Sequence, residues 1–309
     1  QLEKSSAKEL SELSKIIGES YFNLQKYSEA IPYLKAYKGK KGRWNHTDFY
    51  QLGYAFYKQN DYQQAINEFN KIIEGSNAIA QNAYYHLAES YVNLNKKQQA
   101  LNAFRNASEM DFNLNIQEDA WLNYAKLSYE IGNPYKSTPQ VLTDFLKRYP
   151  KSAFKIEIES LLIDSYISSN NYKEALELLE NKSRKVHKES YQKVTFFRAL
   201  EVYNNAKYSD AKELLKRSLS TAIDPIFKAR ATYWNAESDY QLSNFSKALE
   251  SFLDFKNTTE SPQLHEFKNL EYNIAYTYFK LKQYALAIKS FQTFIATKPK
   301  NLILLNDAF

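Results

Sequence analysis

A ten-residue pattern that returns eight times constrains this chain more than any other feature. In "NNYKEALELL" (residues 170–179), Tyr172 precedes Ala175 by three residues and Leu179 follows it by four. Similar stretches place Ala30, Ala65, Ala100, Ala211, Ala248 and Ala287 in the alanine slot. Between Ala100 and Ala175, "NPYKSTPQVL" supplies an eighth copy, with Tyr135, Thr138 and Leu142 in the three slots. Successive spacings are then 35, 35, 38, 37, 36, 37 and 39 residues. A unit that short cannot bury an apolar face by itself, so the copies must stack on one another.

The other half of each copy is patterned too. Twelve residues before the alanine stand Gly18, Gly53, Ala88, Ala199, Ala236 and Ala275, all small. Copy four has Lys126 there, with Ala125 one place earlier, and copy five has Ile163. An aromatic follows the small residue by three in four copies (Tyr21, Phe56, Tyr91, Tyr278). This predicts two antiparallel helices per copy, one carrying the small residue and one the alanine. Helix backbones approach closely only where side chains are small, so the two small slots are expected at the crossing. The bulky residue four after the alanine shares its face one turn on and is expected to fill the gap toward the next copy. Pro150, Pro225, Pro262 and Pro299 are expected to stop the second helices. Only 6 glycines and 7 prolines in 309 residues, with 44% hydrophobic residues, fit an ordered and mostly helical chain.

The order of bulky residue, "LG" or its equivalent, aromatic, alanine, large apolar residue and final proline resembles the tetratricopeptide repeat. It is clearest in "FYQLGYAFYKQNDYQQAINEFNKII" (Phe49 to Ile73) and "EYNIAYTYFKLKQYALAIKSFQTFIATKP" (Glu271 to Pro299). The resemblance implies an all-α fold, a right-handed α-solenoid of helix-turn-helix repeats. Residues 1–301 read as eight repeats, at about 6–42, 43–78, 79–114, 115–150, 151–188, 189–225, 226–262 and 263–300. "LILLNDAF", with the rest of residues 302–309, reads as the start of a further, truncated repeat helix, so a longer array is expected. At the other end Ser6 and Glu9 form a candidate capping box. The single methionine is Met110, so Gln1 is expected to be a processed or engineered start.

Little here points to catalysis. His46, His86, His187 and His265 form no i,i+4 pair, and no phosphate-cradling glycine motif occurs. Glu89 and Glu237 lie four repeats apart, too far for an acid–base pair. No metal, cofactor or enzymatic activity is expected, and the absence of cysteine excludes disulfides and thiolate metal sites. A net charge of +6, from 41 basic and 35 acidic residues, is spread along the chain rather than gathered in one stripe, so nucleic-acid binding is not expected. The basic runs Lys38 to Arg43 and Lys182 to Lys188 read as solvated turns. No apolar run approaches the ~20 residues that span a bilayer.

In the resembling family the first helix of each repeat lines a concave surface. With the small residue as slot eight, slots two, five, nine and twelve face inward. They place Tyr50, Tyr54 and Tyr57 on that face in repeat two, then Tyr85 and Glu89, Tyr129 (with Leu122 and Lys126), and Tyr203 (with Phe196) in later repeats. Repeat seven adds Arg230, Tyr233 and Glu237 with Trp234 at the edge, and repeat eight Tyr272 and Tyr276. Tyrosine offers contact area, a hydrogen-bonding tip and little rotamer entropy to lose. The 26 tyrosines suit an extended peptide or partner helix as ligand. The expected function is a non-enzymatic protein-protein interaction scaffold. The alternatives are the superhelical arm of a larger enzyme and, less favoured, a nucleic-acid-binding repeat. The clamp that some such proteins use for chaperone tails is broken by Glu19 and Gln51. Self-association through the uncapped last repeat is a further expectation. "LKRYPKSAF" (Leu146 to Phe154) resembles exported repeat proteins of Bacteroidetes-type bacteria, which implies a periplasmic or outer-membrane-associated place, with the cytoplasm as alternative.

Overall fold

The computed structural model describes residues 7–180, 185–298 and 302–308, and the chain divides into two compact units, 1–162 and 163–309. Ser6, Lys182, Ser183, Arg184 and Pro299 lie outside the described residues, and with them the expected N-terminal capping box and part of one basic run.

The first unit stacks α1 (Ala7–Asn23), α2 (Tyr27–Ala36), α3 (His46–Lys58), α4 (Tyr62–Phe69), α5 (Ala78–Asn93), α6 (Lys97–Glu109), α7 (Leu114–Ile131) and α8 (Thr138–Arg148). The division falls within α9 (Lys155–Ser168). The second unit continues with α10 (Tyr172–Leu178), α11 (Lys188–Asn204), α12 (Tyr208–Thr221), α13 (Pro225–Gln241), α14 (Phe245–Lys256), α15 (Leu270–Lys280), α16 (Tyr284–Ala296) and α17 (Leu302–Asp307). Two short 3-10 turns, Ser261–Gln263 and His265–Asn269, precede α15. Helices with the small slot alternate with helices carrying the alanine. Most pack on their neighbours in sequence, and α3 also meets α5, as α11 meets α13.

Seven of the turns within a helix pair share one backbone device. The residue five before the alanine is left-handed at Gln25, Asn60, Asn95, Asn170, Ala206, Ser243 and Lys282, with φ between 56° and 62°. In each, two amides fold back on the preceding helix. Asn171 N–H donates to the Tyr166 carbonyl at 2.8 Å and Asn170 N–H to that of Ile167 at 3.1 Å. This Schellman pair satisfies carbonyls that the helix end would otherwise orphan. Repeat four closes differently: Gly132 takes φ 77° and the Asn133 side chain caps the Tyr135 and Lys136 amides. Ala206 has neither glycine's freedom nor asparagine's local hydrogen bonding at this conformation. Ala206→Gly is therefore expected to stabilise the chain by ~0.5–1 kcal/mol, read as a higher denaturation midpoint at unchanged slope.

The alanine slot is sealed: Ala30, Ala65, Ala100, Ala175, Ala211 and Ala248 are 0% exposed. The small residue, however, faces the bulky slot rather than the alanine. A Cβ on Gly53 would stand 2.9 Å from Phe69 Cε1, and one on Gly18 2.9 Å from Leu34 Cδ2. The bulky residue thus fills the crossing of its own repeat. In the fifth pair Ile163, fully buried, takes the small slot against Ala175 and Leu179, and its partner α10 runs for only 7 residues. The prolines also differ from expectation. Pro150 lies just past the end of α8, but Pro225 is the first residue of α13, behind the Asp224 cap, and Pro262 sits in a 3-10 turn. A missing N–H costs nothing at a helix's first position.

Turns between pairs have a clamp of their own. Gln192, 0% exposed, accepts the Ile223 and Asp224 amides at 3.0 and 2.8 Å and donates to the Asp224 carbonyl at 3.0 Å. Gln81, at the same slot of α5, donates to the Met110 and Asn113 carbonyls and accepts the Asn113 amide at 2.7 Å. Ser11 in α1 takes the Lys38 amide at 2.9 Å.

Candidate functional site

In the first unit, α3 and α5 bring aromatics together. Spacings of four and three residues put Tyr50, Tyr54 and Tyr57 on one face of α3. Tyr50 stacks on Tyr54 at 5.8 Å, and Tyr54 reaches Tyr57 at 6.0 Å, Tyr27 at 5.7 Å and Phe22 at 5.8 Å. His86 enters from α5, 4.9 Å from Tyr54 and 5.0 Å from Tyr57, and its Nδ1 lies 2.8 Å from Glu89 Oε2. Tyr85 donates its hydroxyl to Asp119 of α7. Burial pushes the Tyr50, Tyr57 and Tyr85 phenols up, with Glu89 adding to the rise at Tyr57 and the Asp119 bond at Tyr85. At neutral pH all three keep their protons and remain donors.

The second unit repeats the scheme with more carboxylate. Tyr203 of α11 meets Trp234 of α13 at 5.1 Å, and its hydroxyl reaches Glu237 Oε2 at 3.4 Å. Asn273 of α15 donates to Glu237 Oε1 and, at 2.7 Å, to the Tyr233 hydroxyl. Arg230 Nε and Trp234 Nε1 both donate to Glu266 Oε1, at 2.8 and 3.2 Å. Tyr272 and Tyr276, with rings 4.9 Å apart, both donate to Asp307 Oδ2 of α17, Tyr272 at 2.6 Å. Burial pushes the Glu237 carboxyl up, whereas Glu266, despite burial, is held below the usual carboxylate range by the Arg230 bond. A cavity of about 370 Å³ opens beside Glu237, between Tyr240, Gln241, Phe252, Tyr272, Asn273 and Tyr276.

Both faces obey one rule. The hydroxyl of a tyrosine on one small-slot helix reaches an acid one repeat on: Tyr85 to Asp119, Tyr203 to Glu237, Tyr272 to Asp307. Each bond ties neighbouring repeats and fixes the ring's orientation.

Two family models match parts of the chain. Residues 35–107 match subunit 3 of the anaphase-promoting complex (cyclosome), and residues 272–301, which take in most of the pair α15–α16, match the tetratricopeptide repeat. Parts of the chain thus match tetratricopeptide-type repeat models, in keeping with its all-α helix pairs. Solved structures of such repeats are similar to it. The C-terminal part of a TPR repeat-containing protein from Cytophaga hutchinsonii is 17% identical, with 83% of this chain and 98% of that one covered and a TM-score of 0.48. A tetratricopeptide repeat protein from Parabacteroides merdae is 15% identical, with 87% and 98% covered and a TM-score of 0.43. The TPR2AB domain of yeast Sti1, solved in complex with an Hsp90 peptide, is 15% identical, with 87% and 97% covered and a TM-score of 0.45. No curated protein matches the chain.

Within this array of helix pairs the anticipated face residues have different fates. Tyr50, Tyr54, Tyr57, Tyr85 and Glu89 converge in the first unit; Tyr203, Arg230, Trp234, Glu237, Tyr272 and Tyr276 line the second, all half-buried. Tyr233 is 6% exposed, its ring packed on Phe252 and Phe255, so only its hydroxyl reaches the site. Tyr129 is 39% exposed and, among the described residues, makes no ring contact with the Tyr54 cluster. Leu122 and Phe196 are core residues, 4% and 0% exposed. Tyr57 and Tyr203 also pack against the ring that opens the next helix, Tyr62 at 6.0 Å and Tyr208 at 5.1 Å. Slot counting does not find Asp119, Asn273, Glu266 and Asp307. Their signal is an acid or amide about one repeat length beyond a tyrosine or arginine, visible only when two repeats are read together. Among the described residues no helix is long and apolar enough to cross a membrane.

Proposed function

We propose that the chain is a non-enzymatic scaffold whose small-slot helices, each pair counted as one of eight repeats, form a concave groove for an extended peptide. TPR repeats generally mediate protein-protein interaction. The observation that carries the reading is the set of half-buried tyrosines on α3, α5, α11 and α15, held in place and presenting ring faces with hydrogen-bonding edges. Such a surface grips a peptide backbone and its apolar side chains without reordering itself. Fixed rings lose little entropy on binding. The interspersed charge favours a protein ligand over a nucleic acid. The style of the sequence, with "LKRYPKSAF", supports a bacterial periplasmic or outer-membrane-associated setting, with envelope assembly as the process served.

Selection of peptides from a random library, followed by calorimetric titration of the winners, tests this. Tyr54→Ala and Tyr276→Ala are expected to weaken a selected peptide by tenfold or more, about 1.4 kcal/mol each. Failure to select any peptide, or equal affinity in both variants, would overturn the proposal. Tight binding of single-stranded RNA at physiological salt would replace it with the nucleic-acid reading.

A further inference from the structure

The basic side chains around the second-unit face are already engaged. Arg230 is held by Glu266 at 2.8 Å, Lys212 by Asp239 and Lys256 by Glu271. Glu237 differs. Among the described residues no lysine, arginine or histidine nitrogen comes within 4.0 Å of its carboxylate, and its partners are the neutral Tyr203 and Tyr233 hydroxyls and the Asn273 amide. A carboxylate removed from water without a counter-charge is unfavourable, and it lowers its free energy by taking up a proton or a cation. Burial has indeed pushed this carboxyl up.

The space beside it suits a cation. The walls of the roughly 370 Å³ cavity carry the rings of Tyr240, Tyr272, Tyr276 and Phe252 around the one carboxylate. Aromatic faces attract a positive group that has shed its water. The Tyr272 and Tyr276 rings are held by their hydroxyl bonds to Asp307, whose negative charge adds to the same field. The volume lies near the lower limit of small-ligand sites, enough for one side chain but not a folded segment. An anion would face two carboxylates, and an apolar group would leave Glu237 unpaired.

We propose that this cavity binds the aliphatic cation of a lysine or arginine side chain, presented by the peptide in the groove, with Glu237 as counter-ion and the tyrosine rings as walls. The proposal rests on the peptide-binding reading above, and the test separates the two.

The probes are n-butylammonium, ethylguanidinium and the neutral n-butanol, titrated into the 309-residue chain and followed by tryptophan and tyrosine fluorescence. Saturable binding of at least one cation, tenfold or more tighter than butanol, is the expected result. Glu237→Gln is expected to abolish it, Tyr240→Leu to weaken it severalfold, and Glu250→Gln, exposed and about 200° around α14 from the cavity-lining Phe252, to leave it unchanged. Circular-dichroism melts establish that the variants are folded; should Glu237→Gln not fold, Tyr240→Leu decides. Equal binding by wild type and the deciding variant, or by cation and butanol, would overturn the site. A second arm compares acetyl-Ala-Ala-Lys-Ala-Ala-amide and its arginine counterpart with the norleucine version. Tighter binding of a basic peptide than of its free cation identifies a side chain as ligand. Equal affinity would assign the cavity to a small free amine and overturn the peptide source. If the cations bind while library selection yields no peptide, the groove reading falls and the cation site stands. If selected peptides bind but no cation does, the reverse holds.

Discussion

Replacing Gln192 by leucine is expected to cost about 2–4 kcal/mol, because three backbone groups lose their partner at once. The Ile223 and Asp224 amides and the Asp224 carbonyl all close on this one buried amide group. An orphaned buried polar group costs ~1–3 kcal/mol, and leucine's bulk keeps water from replacing the lost bonds. Urea denaturation gives the total, and hydrogen exchange gives the location: the Ile223 and Asp224 amides should lose protection well before those in the middle of α11. Gln117→Leu is the internal control. Its Nε2 is buried without a partner among the described residues, so leucine there should be nearly neutral. Comparable losses in the two variants would show that the clamp contributes only packing.

Phe69→Ala is the second large effect, at ~3–5 kcal/mol for a fully buried aromatic. Its consequence is not confined to stability. Phe69 fills the crossing over Gly53, with its ring 5.9 Å from Tyr50 and 6.2 Å from His86. Emptying that space removes the support under the tyrosine cluster. The expected outcome is a lower denaturation midpoint together with weaker peptide binding at temperatures where the variant is still folded. Phe69→Leu should recover most of the stability, since it restores most of the volume. Intact affinity in folded Phe69→Ala would separate the groove from its core.

The helix pairs are legible in the sequence because their determinants recur: a small residue at the crossing, an aromatic and an alanine at fixed offsets. What recurs less often is not. The clamp at Gln81 and Gln192 has Ser11 at the same slot in repeat one but His46 and Ala229 in repeats two and seven, so no periodic reading reveals it. Pro225 misleads because proline before a first helix and after a last one look alike in sequence, and only the position of the Asp224 cap decides. The small slot is matched to the wrong partner because spacing along one helix does not say which residue of the next faces it; Phe69 and Leu34 lie one turn beyond the alanines expected there. On the candidate face, slot counting locates the tyrosines and Glu237 but not Asp119, Glu266 or Asp307. Asp119 and Asp307 sit on the next small-slot helix and Glu266 in the turn before one, where a register shift of one residue, as at Ala125 and Lys126, moves a side chain from groove to core.

The left-handed turns offer an experimental opening. Their geometry is set by backbone amides, and Gln, Asn, Ala, Ser and Lys all occupy the position with their side chains in solvent. The chain has no cysteine of its own. A thiol introduced at any two of these turns would be unique, and a pair of spectroscopic labels there would measure the distance between chosen repeats. Seven graduations of one kind make the array its own ruler, able to register whether a ligand changes the spacing of the repeats.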